Sequence, residues 1–331
     1  MKNIAVVILN WNGRALLQEV LPYMVKYSQD ATIYVADNAS TDDSVDFVKN
    51  NFPEVKIIHN NDNYGYAKGY NEALKEVEED IYALVNSDVE VTENWLIPVM
   101  ELFEKDSETA IVQPKILDYY KRSHFEYAGA AGGFIDKYAF PYCRGRIFEA
   151  IEEDNGQYND QAEIFWASGA CLFIRKEVFR ALGGFDEDFF AHQEEIDLCW
   201  RAFNKNYKVK LCGGSHIYHM GGATLKNSSP KKTYLNFRNS LWMMLKNLPA
   251  GKLFPTLFVR LSLDGFAAYR FIFQGKFSHF WAIFKAHVYF YLYMFKFLSK
   301  RQSKHYKNYY GVKSIVYNYF ILSKKNFNNS L

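Results

Sequence analysis

The 331-residue sequence predicts an α/β fold with a mostly parallel sheet flanked by helices, followed by a helical C-terminal region that is basic and rich in aromatic residues. Three observations favour this architecture. Short apolar runs alternate with helical patterns over about the first ninety residues, polar turns follow several of these runs, and acidic and basic residues are divided unequally along the chain. Hydrophobic residues make up 49% of the chain, which indicates a globular protein with a sizeable core.

The first part of the chain opens with a continuous β-branched and aliphatic run, which is typical of a parallel strand covered on both faces. Strands are predicted at residues 4–9, 32–36, 55–59 and 81–85. Helical patterns lie between them, at residues 15–27, 41–50 and 65–77. This βαβαβαβ order implies an open parallel sheet with helices on both faces.

The middle of the chain has a less regular pattern. Within residues 110–165, loops are predicted at the glycine-rich segment 129–133 and at the acidic segment 149–160. Regular elements return as strands at residues 165–175, 208–211 and 215–219 and helices at residues 176–182 and 193–204. From residue 231 onward the pattern is helical, with aromatic residues replacing much of the aliphatic content.

Polar turns follow three of the predicted strands, at residues 10–13, 37–40 and 86–88. Because ligands bind at the carboxyl ends of the strands in such sheets, we expect these turns to converge on one site. A carboxylate such as Asp37 can accept hydrogen bonds from a nucleobase or a ribose. Asp88 can bind Mg²⁺ or Mn²⁺, which neutralises a diphosphate. A turn or helix cap at Asp37 and a polar turn at Asp88 are the alternatives without a ligand.

Three acids, Glu194, Glu195 and Asp197, lie within one turn of a predicted helix, just after an aromatic run at residues 185–190. An acidic helix start stabilised by the helix dipole is one explanation. A carboxyl group against apolar walls could instead have a raised pKa and act as a general base. Farther along, His219 precedes two glycines and could reach a metal or a phosphate, whereas a lone histidine is often structural.

The order of these segments resembles that of the family 2 glycosyltransferases with the GT-A fold, and most of all the rhamnosyltransferase-type members, over residues 4–224. The similar segments are residues 7–13 (Val-Ile-Leu-Asn-Trp-Asn-Gly), 35–42 (Val-Ala-Asp-Asn-Ala-Ser-Thr-Asp), 63–71, 85–88, 166–170, 183–190 and 194–198, together with His219, Gly221 and Gly222. Each segment by itself is weakly specific, and their shared order makes the resemblance specific.

The resemblance implies inverting transfer of a sugar, rhamnose among the candidates, from a UDP- or dTDP-sugar. The acceptor would be a glycan or a polyprenyl-linked saccharide in cell-surface polysaccharide synthesis, and Mg²⁺ or Mn²⁺ would be the cofactor. The implied donor-binding residues are Asn10, Asn12, Asp37, Asn38, Gly65, Lys68, Asn71 and Ser87. The implied acceptor-binding residues are Trp166, which would offer its ring to a sugar, Gly169 and Phe190.

The resemblance also implies that Asp88 and His219 hold the metal and that the catalytic acids are Glu195, Glu194 and Asp197. The chain departs from the family pattern at two positions. Asn86 replaces the first acid of the D-x-D motif, which leaves Asp88 as the acid of that loop. Glu195 stands where the family has the aspartate that acts as base, so the choice between Glu194 and Glu195 remains open.

Charge divides the chain into two predicted units. Residues 225–331 contain 18 Lys and Arg and one acid, a net charge of +17, whereas residues 1–224 contain 21 bases and 36 acids, a net charge of −15. We predict a nucleotide-sugar-binding catalytic domain at residues 1–224 and a membrane-associating helical region at residues 225–331. No uncharged stretch of the latter reaches the ~18 residues of a membrane span, so its aromatic and basic residues favour helices lying in the interface. A helical subdomain packed on the sheet is the alternative.

The four cysteines form no C-x-x-C pair, which predicts free thiols in a reducing compartment. The N-terminal apolar run is too short for a signal peptide. We therefore expect a cytoplasmic protein that is peripheral at the inner face of the cell membrane.

Two other functions remain possible from the sequence alone. A nucleotidyltransferase could use the same kind of sheet, although residues 10–14 offer only one glycine and one arginine for a phosphate loop. A basic, aromatic C-terminal region could also bind nucleic acid beside a non-catalytic sheet. A glycosidase would also use two carboxylates, but it would not need the nucleotide-facing turns. We expect no nucleic-acid partner for the glycosyltransferase.

Overall fold

The computed structural model describes residues 3–221, 229–302 and 304–330. Within them, a nine-stranded sheet forms the centre of the fold. Its strands are β1 (Ile4–Asn10), β2 (Thr32–Asp37), β3 (Lys56–His59), β4 (Ile81–Asn86), β5 (Val89–Val91), β6 (Thr109–Asp118), β11 (Gln161–Ile164), β12 (Cys171–Arg175) and β13 (Lys208–His219). A smaller antiparallel sheet contains β7 (Gly133–Ile135), β8 (Pro141–Cys143), β9 (Arg146–Ile147) and β10 (Ala150–Ile151).

The first half of the main sheet is parallel, as predicted. The strand order is β11-β13-β6-β12-β4-β1-β2-β3, and β5 pairs with β13. β1 lies between β2 and β4 and is parallel to both, and β3 is parallel to β2. β12 pairs antiparallel with β4 and β6, and β11 and β5 pair antiparallel with β13. The complete sheet is therefore mixed.

Helices cover both faces of the sheet. They are α1 (Arg14–Tyr27), α2 (Ser44–Asn51), α3 (Gly65–Ala73), α4 (Ile97–Lys105), α5 (Lys176–Leu182), α6 (Glu194–Asn204), α7 (Pro230–Asn247), α8 (Ala250–Phe273), α9 (Phe277–Ser299), α10 (Ile315–Phe320) and α11 (Phe327–Ser330). Side chains alternate between the faces of β1: Val6 and Ile8 pack with α1 and α4, whereas Ala5 and Val7 belong to the core that contains α3, α6 and α7. This alternation buries an apolar strand on both sides.

The irregular middle of the chain is more ordered than the sequence predicts. Two short strands overlap the predicted loops: β7 begins at Gly133, and β10 lies within residues 149–160. β6, β8, β9 and β11 have no predicted counterpart, and the strands β7–β10 have two or three residues each. Strands this short carry no readable alternation of side chains. The two strands predicted at residues 208–219 are one strand, β13, with an irregularity between Cys212 and His216. Cys143, Cys171, Cys199 and Cys212 are buried free thiols, as predicted.

The C-terminal region is helical, as predicted, and it packs against the catalytic part. α7 contacts both α6 and α9, and its residues 239–247 are all buried. The predicted domain boundary between residues 224 and 225 lies outside the described residues, as does Gly222. The division into two domains stays a prediction.

Candidate active site

Four polar residues lie at one edge of the main sheet, at or just after the ends of neighbouring parallel strands. Asn10 ends β1 opposite Asp37 at the end of β2, and Asn86 ends β4 opposite Leu9 of β1. Asp88 follows β4 by two residues. The predicted convergence of the polar turns is thus confirmed in the backbone register.

Asn10 and Asp37 form a buried polar cluster at this edge. The Asn10 amide nitrogen donates to Asp37 Oδ1 at 3.2 Å, to Ser40 Oγ at 3.1 Å and to Ser44 Oγ at 3.0 Å. Asp37 Oδ2 accepts a hydrogen bond from the Ser40 backbone N–H at 3.0 Å. The Asn10 Oδ1 atom is buried and has no hydrogen-bond partner among the described residues. Because a buried acceptor without a partner is costly, this oxygen suits a ligand N–H or O–H.

Two asparagines connect the neighbouring turns. Asn12 Oδ1 accepts hydrogen bonds from the backbone N–H groups of Thr41 and Asp42, and so holds the first turn against the second. The buried Asn38 donates to the Gly65 carbonyl at 2.9 Å at the start of α3. Both predicted donor residues thus shape the backbone around the site.

The remaining predicted donor residues lie at different distances from this cluster. Ser87 is half-buried between Asn86 and Asp88, and Lys68 is half-buried with its Nζ 4.1 Å from the centre of the Tyr64 ring. Asn71 instead donates to the Phe185 carbonyl at 2.9 Å and accepts from the Phe185 N–H at 2.9 Å. Both ends of its amide are engaged by that backbone, so the structure favours a structural role for Asn71.

Asp88 and His219 are brought together by the pairing of β5 with β13, in which His219 lies opposite Val89. His219 Nε2 is 3.2 Å from Asp88 Oδ1, and His219 Nδ1 is 3.3 Å from Glu126 Oε2. Burial alone would lower the pKa of His219, but the two carboxylates outweigh it and raise the pKa to about 10. The sequence gives no sign of Glu126, which belongs to no motif and precedes β7 in the irregular region.

The donor set at Asp88 fits a hard divalent ion in part. The buried Asp88 oxygen and His219 nitrogen are 3.2 Å apart and form an ion pair while the ring is protonated. The two atoms could serve as neighbouring ligands of one ion only after the ring loses its proton to the incoming metal. Glu126 at the other ring nitrogen is the usual partner that orients a metal-binding histidine. In the part of the chain that the structure describes, no three acidic, histidine or cysteine side chains form a complete metal cluster. Substrate phosphate or water would supply the remaining ligands.

Glu194 and Glu195 stand at the first turn of α6. Glu194 is buried and Glu195 is half-buried, and one carboxyl oxygen of each is buried without a hydrogen-bond partner among the described residues. Burial raises the pKa of Glu195 to about 7. Burial, and next the charge of Glu195, raise the pKa of Glu194 well above its usual range. A carboxyl group that titrates near neutral pH is suited to accept a proton.

Asp197 is in a different environment from these two glutamates. It is fully buried, and it accepts hydrogen bonds from Arg201 Nε at 2.8 Å, Lys246 Nζ at 2.7 Å and Asn247 Nδ2 at 2.8 Å. Burial by itself would raise the pKa of Asp197, but Lys246 and Arg201 outweigh it and lower the pKa. Since both carboxylate oxygens are engaged by cations and an amide, the structure favours a structural role for Asp197 and narrows the predicted base to the glutamates.

The turn before α6 has an unusual backbone. Phe190, His192 and Gln193 have φ values of 64°, 70° and 73°, the left-handed region that non-glycine residues rarely adopt. The Phe190 carbonyl accepts a hydrogen bond from the Tyr66 N–H at 2.9 Å at the start of α3. Gly65, with φ +70°, allows this approach, since a Cβ there would lie 2.7 Å from the Phe190 ring and carbonyl.

The three predicted acceptor residues have unequal access. Trp166 is only 3% exposed, and its Nε1 donates to the Phe134 carbonyl at 2.9 Å. Its ring covers Gly133, where a Cβ would lie within 2.4 Å of three ring atoms, so a sugar cannot stack on it and the predicted stacking role needs correction. Gly169 accepts a hydrogen bond from the Tyr66 hydroxyl at 2.8 Å. Phe190 is 38% exposed and has the most accessible side chain of the three.

The sequence model of glycosyl transferase family 2 matches residues 5–183, more than half of the chain. The chain belongs to glycosyl transferase family 2. The hexosyltransferase Agl10 of low-salt glycan biosynthesis from Haloferax volcanii is 22% identical over 249 residues, which cover 72% of this chain and 74% of Agl10. The N-acetylglucosaminyl-diphospho-decaprenol L-rhamnosyltransferase of Mycobacterium tuberculosis is 22% identical over 182 residues, which cover 50% of this chain and 59% of the relative. The sequence-based resemblance is confirmed.

Solved structures confirm the fold of this glycosyltransferase. GalNAc-T7, in a structure with UDP, GalNAc and Mn²⁺, aligns with a TM-score of 0.59 at 16% identity and covers 76% of this chain and 49% of that one. The mannosyltransferase PcManGT of Pyrobaculum calidifontis, solved with GDP-Man and Mn²⁺, aligns with a TM-score of 0.53 at 14% identity. The alignment covers 88% of this chain and 75% of PcManGT. This glycosyltransferase thus spans about half of the GalNAc-T7 chain, and the GT-A fold expected from the resemblance is confirmed.

Proposed function

We propose that this glycosyltransferase moves a hexose or rhamnose from a nucleoside-diphosphate donor to a hydroxyl of a saccharide or lipid-linked acceptor, with inversion at the anomeric carbon. The observation that carries the proposal is the convergence at one sheet edge of Asn10, Asp37 and Asp88, with His219 beside Asp88. A hydrogen-bonding cluster next to a carboxylate–histidine pair matches the needs of a nucleoside and a diphosphate.

In this proposal the chain's own groups divide the work between donor and acceptor. Asn10 and Asp37 bind the nucleoside, and Glu195 accepts the proton of the attacking hydroxyl. Asp88 and His219 would hold a divalent ion, which when bound neutralises the leaving diphosphate. Glu126, whose Oε2 is 3.3 Å from His219 Nδ1, would orient the His219 ring. Structurally similar proteins support the donor class, since GalNAc-T7 was solved with UDP and PcManGT with GDP-Man.

Thermal stabilisation by sugar nucleotides tests this proposal. We expect at least one of UDP-GlcNAc, UDP-galactose, GDP-mannose and dTDP-rhamnose to raise the melting temperature more with Mn²⁺ than without it. A ligand at 100 times its Kd stabilises the folded state by about 2.7 kcal/mol. Asp88→Asn should abolish the Mn²⁺-dependent part of the shift, because an amide is a poor ligand for a hard cation. Equal shifts for wild type and Asp88→Asn would contradict the role of Asp88.

We further propose that the protein associates with the cytoplasmic face of the membrane through an aromatic stripe on α8 and α9. On α9 the stripe follows helical spacing and consists of five exposed aromatic residues and one valine: Phe277, Trp281, Phe284, Val288, Tyr291 and Phe295. On α8 it consists of Phe254, Phe258, Phe266, Tyr269 and Phe273. The exposed cations Arg270, Lys276 and Lys285 flank it, and the one acid of the region, Asp264, is buried. Aromatic residues with basic neighbours suit an anionic lipid interface.

None of the helices that the structure describes has the length and apolar content of a bilayer-spanning segment. The large exposed aromatic area is unusual for a surface that faces only water. A membrane-facing stripe would also suit a lipid-linked acceptor, and the mycobacterial relative is named for a decaprenol-linked one. The occupant we propose for this surface is therefore an anionic bilayer.

Flotation with vesicles tests the membrane proposal. We expect the full chain to float with anionic phosphatidylglycerol vesicles at low salt and to lose binding as salt rises, since each surface cation contributes ~1 kcal/mol. The double variant Trp281→Ser/Phe284→Ser should lose most of the binding. Tyr120→Ser is the matched control, because Tyr120 is an aromatic residue that is 77% exposed outside the stripe. Equal flotation of both variants, or none by wild type, would overturn the proposal.

A further inference from the structure

One side chain of the C-terminal region contacts the turn that leads into the proposed catalytic glutamates. Asn239 of α7 is completely buried, and its amide nitrogen is 3.0 Å from the Phe189 carbonyl, 3.0 Å from the Ala191 carbonyl and 2.7 Å from the His192 carbonyl. An amide nitrogen has two hydrogens, so one hydrogen binds a single carbonyl and the other is shared between the remaining two. The Oδ1 atom accepts from Arg238 Nε at 2.9 Å, which fixes which end of the amide faces the turn.

The turn needs such support because of its backbone. Phe190, His192 and Gln193 are all left-handed, a conformation that persists only where the surroundings impose it. On one side the turn is bound to α3, through the hydrogen bond from the Tyr66 N–H to the Phe190 carbonyl. On the other side Asn239 binds the carbonyls on both sides of Phe190 and that of His192. The turn is therefore held between α3 and α7.

The position of α6 follows directly from this turn. Gln193 is the last left-handed residue, and Glu194 and Glu195 come next. A rotation of the turn would swing both carboxyl groups away from their present place. A side chain with at least two N–H donors suits these carbonyl oxygens, whereas a carboxylate would repel them. An aliphatic side chain would remove the side-chain donor of the Ala191 and His192 carbonyls, while the Phe189 carbonyl would keep Arg238 and the Ala191 N–H.

We propose that Asn239 is a positioning residue of this glycosyltransferase, which sets the Phe189–Gln193 turn and thereby the geometry of the proton-accepting glutamate. The inference rests on the proposed function of Glu194 and Glu195 and goes beyond it, because it makes α7 a part of the catalytic site. The donor cluster at Asn10 and Asp37 lies on other elements and does not depend on Asn239.

The test compares Asn239→Leu, which keeps the size of the side chain and removes its donors, with Ser240→Ala on the same buried stretch of α7. The donor for this test is the sugar nucleotide that stabilises wild type most in the thermal-shift experiment. The readouts are hydrogen exchange, the Kd of this donor, and the rate at which the enzyme with Mn²⁺ releases nucleoside diphosphate from it. We expect faster exchange confined to residues 189–197 and at Tyr66, an unchanged Kd, and a rate lowered ~10–100-fold by misplacement of the base. Ser240→Ala should match wild type, and Asn239→Gln, which keeps the donors, should recover part of the rate.

The positioning role would be wrong if Asn239→Leu left the rate unchanged, or if it left the hydrogen exchange of residues 189–197 unchanged. It would also be wrong if Asn239→Leu lowered the rate and the donor affinity equally and raised hydrogen exchange throughout α6 and α7. That last result would show a merely structural residue. Failure of the proposed function is distinguishable, because wild type would then release no nucleoside diphosphate from any sugar nucleotide, while the exchange experiment would still report whether Asn239 holds the turn.

Discussion

Glu195→Gln is expected to lower sugar transfer by ~10²–10⁴-fold, the usual contribution of a general base. The side chain keeps its size and polarity but can no longer accept a proton at the carboxylate. Donor binding should be retained, because Asn10 and Asp37 lie at the ends of other strands. The measurement is the steady-state rate of nucleoside-diphosphate release together with the donor Kd, so that a drop in kcat is separated from a loss of binding.

Glu194→Gln is the matched comparison, since both glutamates occupy the first turn of α6 and both have a raised pKa. Glu194 is the more buried of the two, so its carboxyl group is less accessible to an acceptor hydroxyl. We therefore expect the smaller loss from Glu194→Gln. The reverse order would make Glu194 the base, and near-wild-type rates in both would remove the role from this pair.

The pH dependence gives a second, independent readout of the same base. A base must be ionised to act, and the pKa of Glu195 is raised to about 7 by burial. The rate of wild type should thus fall as the pH drops through about 7, and it should be nearly constant above that value until another group titrates. In Glu195→Gln the small remaining rate should lose this dependence. A rate that stayed constant from pH 8 to pH 5 in wild type would argue against a glutamate with a raised pKa.

The edge of the sheet could be predicted from sequence because its signals are local. A buried strand of four to seven residues followed by a polar turn is readable in one stretch of chain, and parallel pairing then brings Asn10, Asp37 and Asp88 together without further information. His219 was a weaker signal by itself. The pairing of β5 with β13 places it beside Asp88, as the resemblance implied.

The rest of the site depends on contacts between distant segments. Glu126 and Asn239 belong to no motif, and only the folded chain brings them to His219 and to the Phe189–Gln193 turn. For Trp166 the sequence predicted a role that the structure does not support. A tryptophan in a motif suggests stacking against a sugar, whereas its ring packs on the backbone of Gly133. The roles of Glu126, Asn239 and Trp166 depend on tertiary packing, which the periodicity of side chains in the sequence cannot predict.

The opposite charges of the two parts of the chain also form ion pairs between them. Lys246, Lys296 and Lys300 of the basic region form ion pairs with acids of the first part. Lys246 pairs with both Asp186 and Asp197, at 2.7 Å each, and is itself only 3% exposed. Part of the positive charge thus holds the C-terminal helices against α6 and the segment before it, while Arg270, Lys276 and Lys285 of the proposed membrane surface stay exposed.

Lys246→Met should destabilise the protein by ~3–5 kcal/mol, the typical cost of removing one partner from a buried ion pair. Two carboxylates, Asp186 and Asp197, would lose a shared cation; Asp186 would keep Lys300, and Asp197 would keep Arg201 and Asn247. The measurement is the free energy of unfolding from urea titration, with the slope checked for a change in the exposed surface.

Lys105→Met is the control, because it deletes the same charge from an exposed pair with Glu101, which is worth ~0–1 kcal/mol. The comparison separates a loss of net charge from a loss of buried pairing. If Lys246→Met cost no more than Lys105→Met, the pairing between α6 and α7 would contribute little, and α7 could not hold Asp197 in the way the geometry indicates. If the cost is as large as expected, α6 gains part of its stability from α7, and the C-terminal region is then a structural part of the proposed active site.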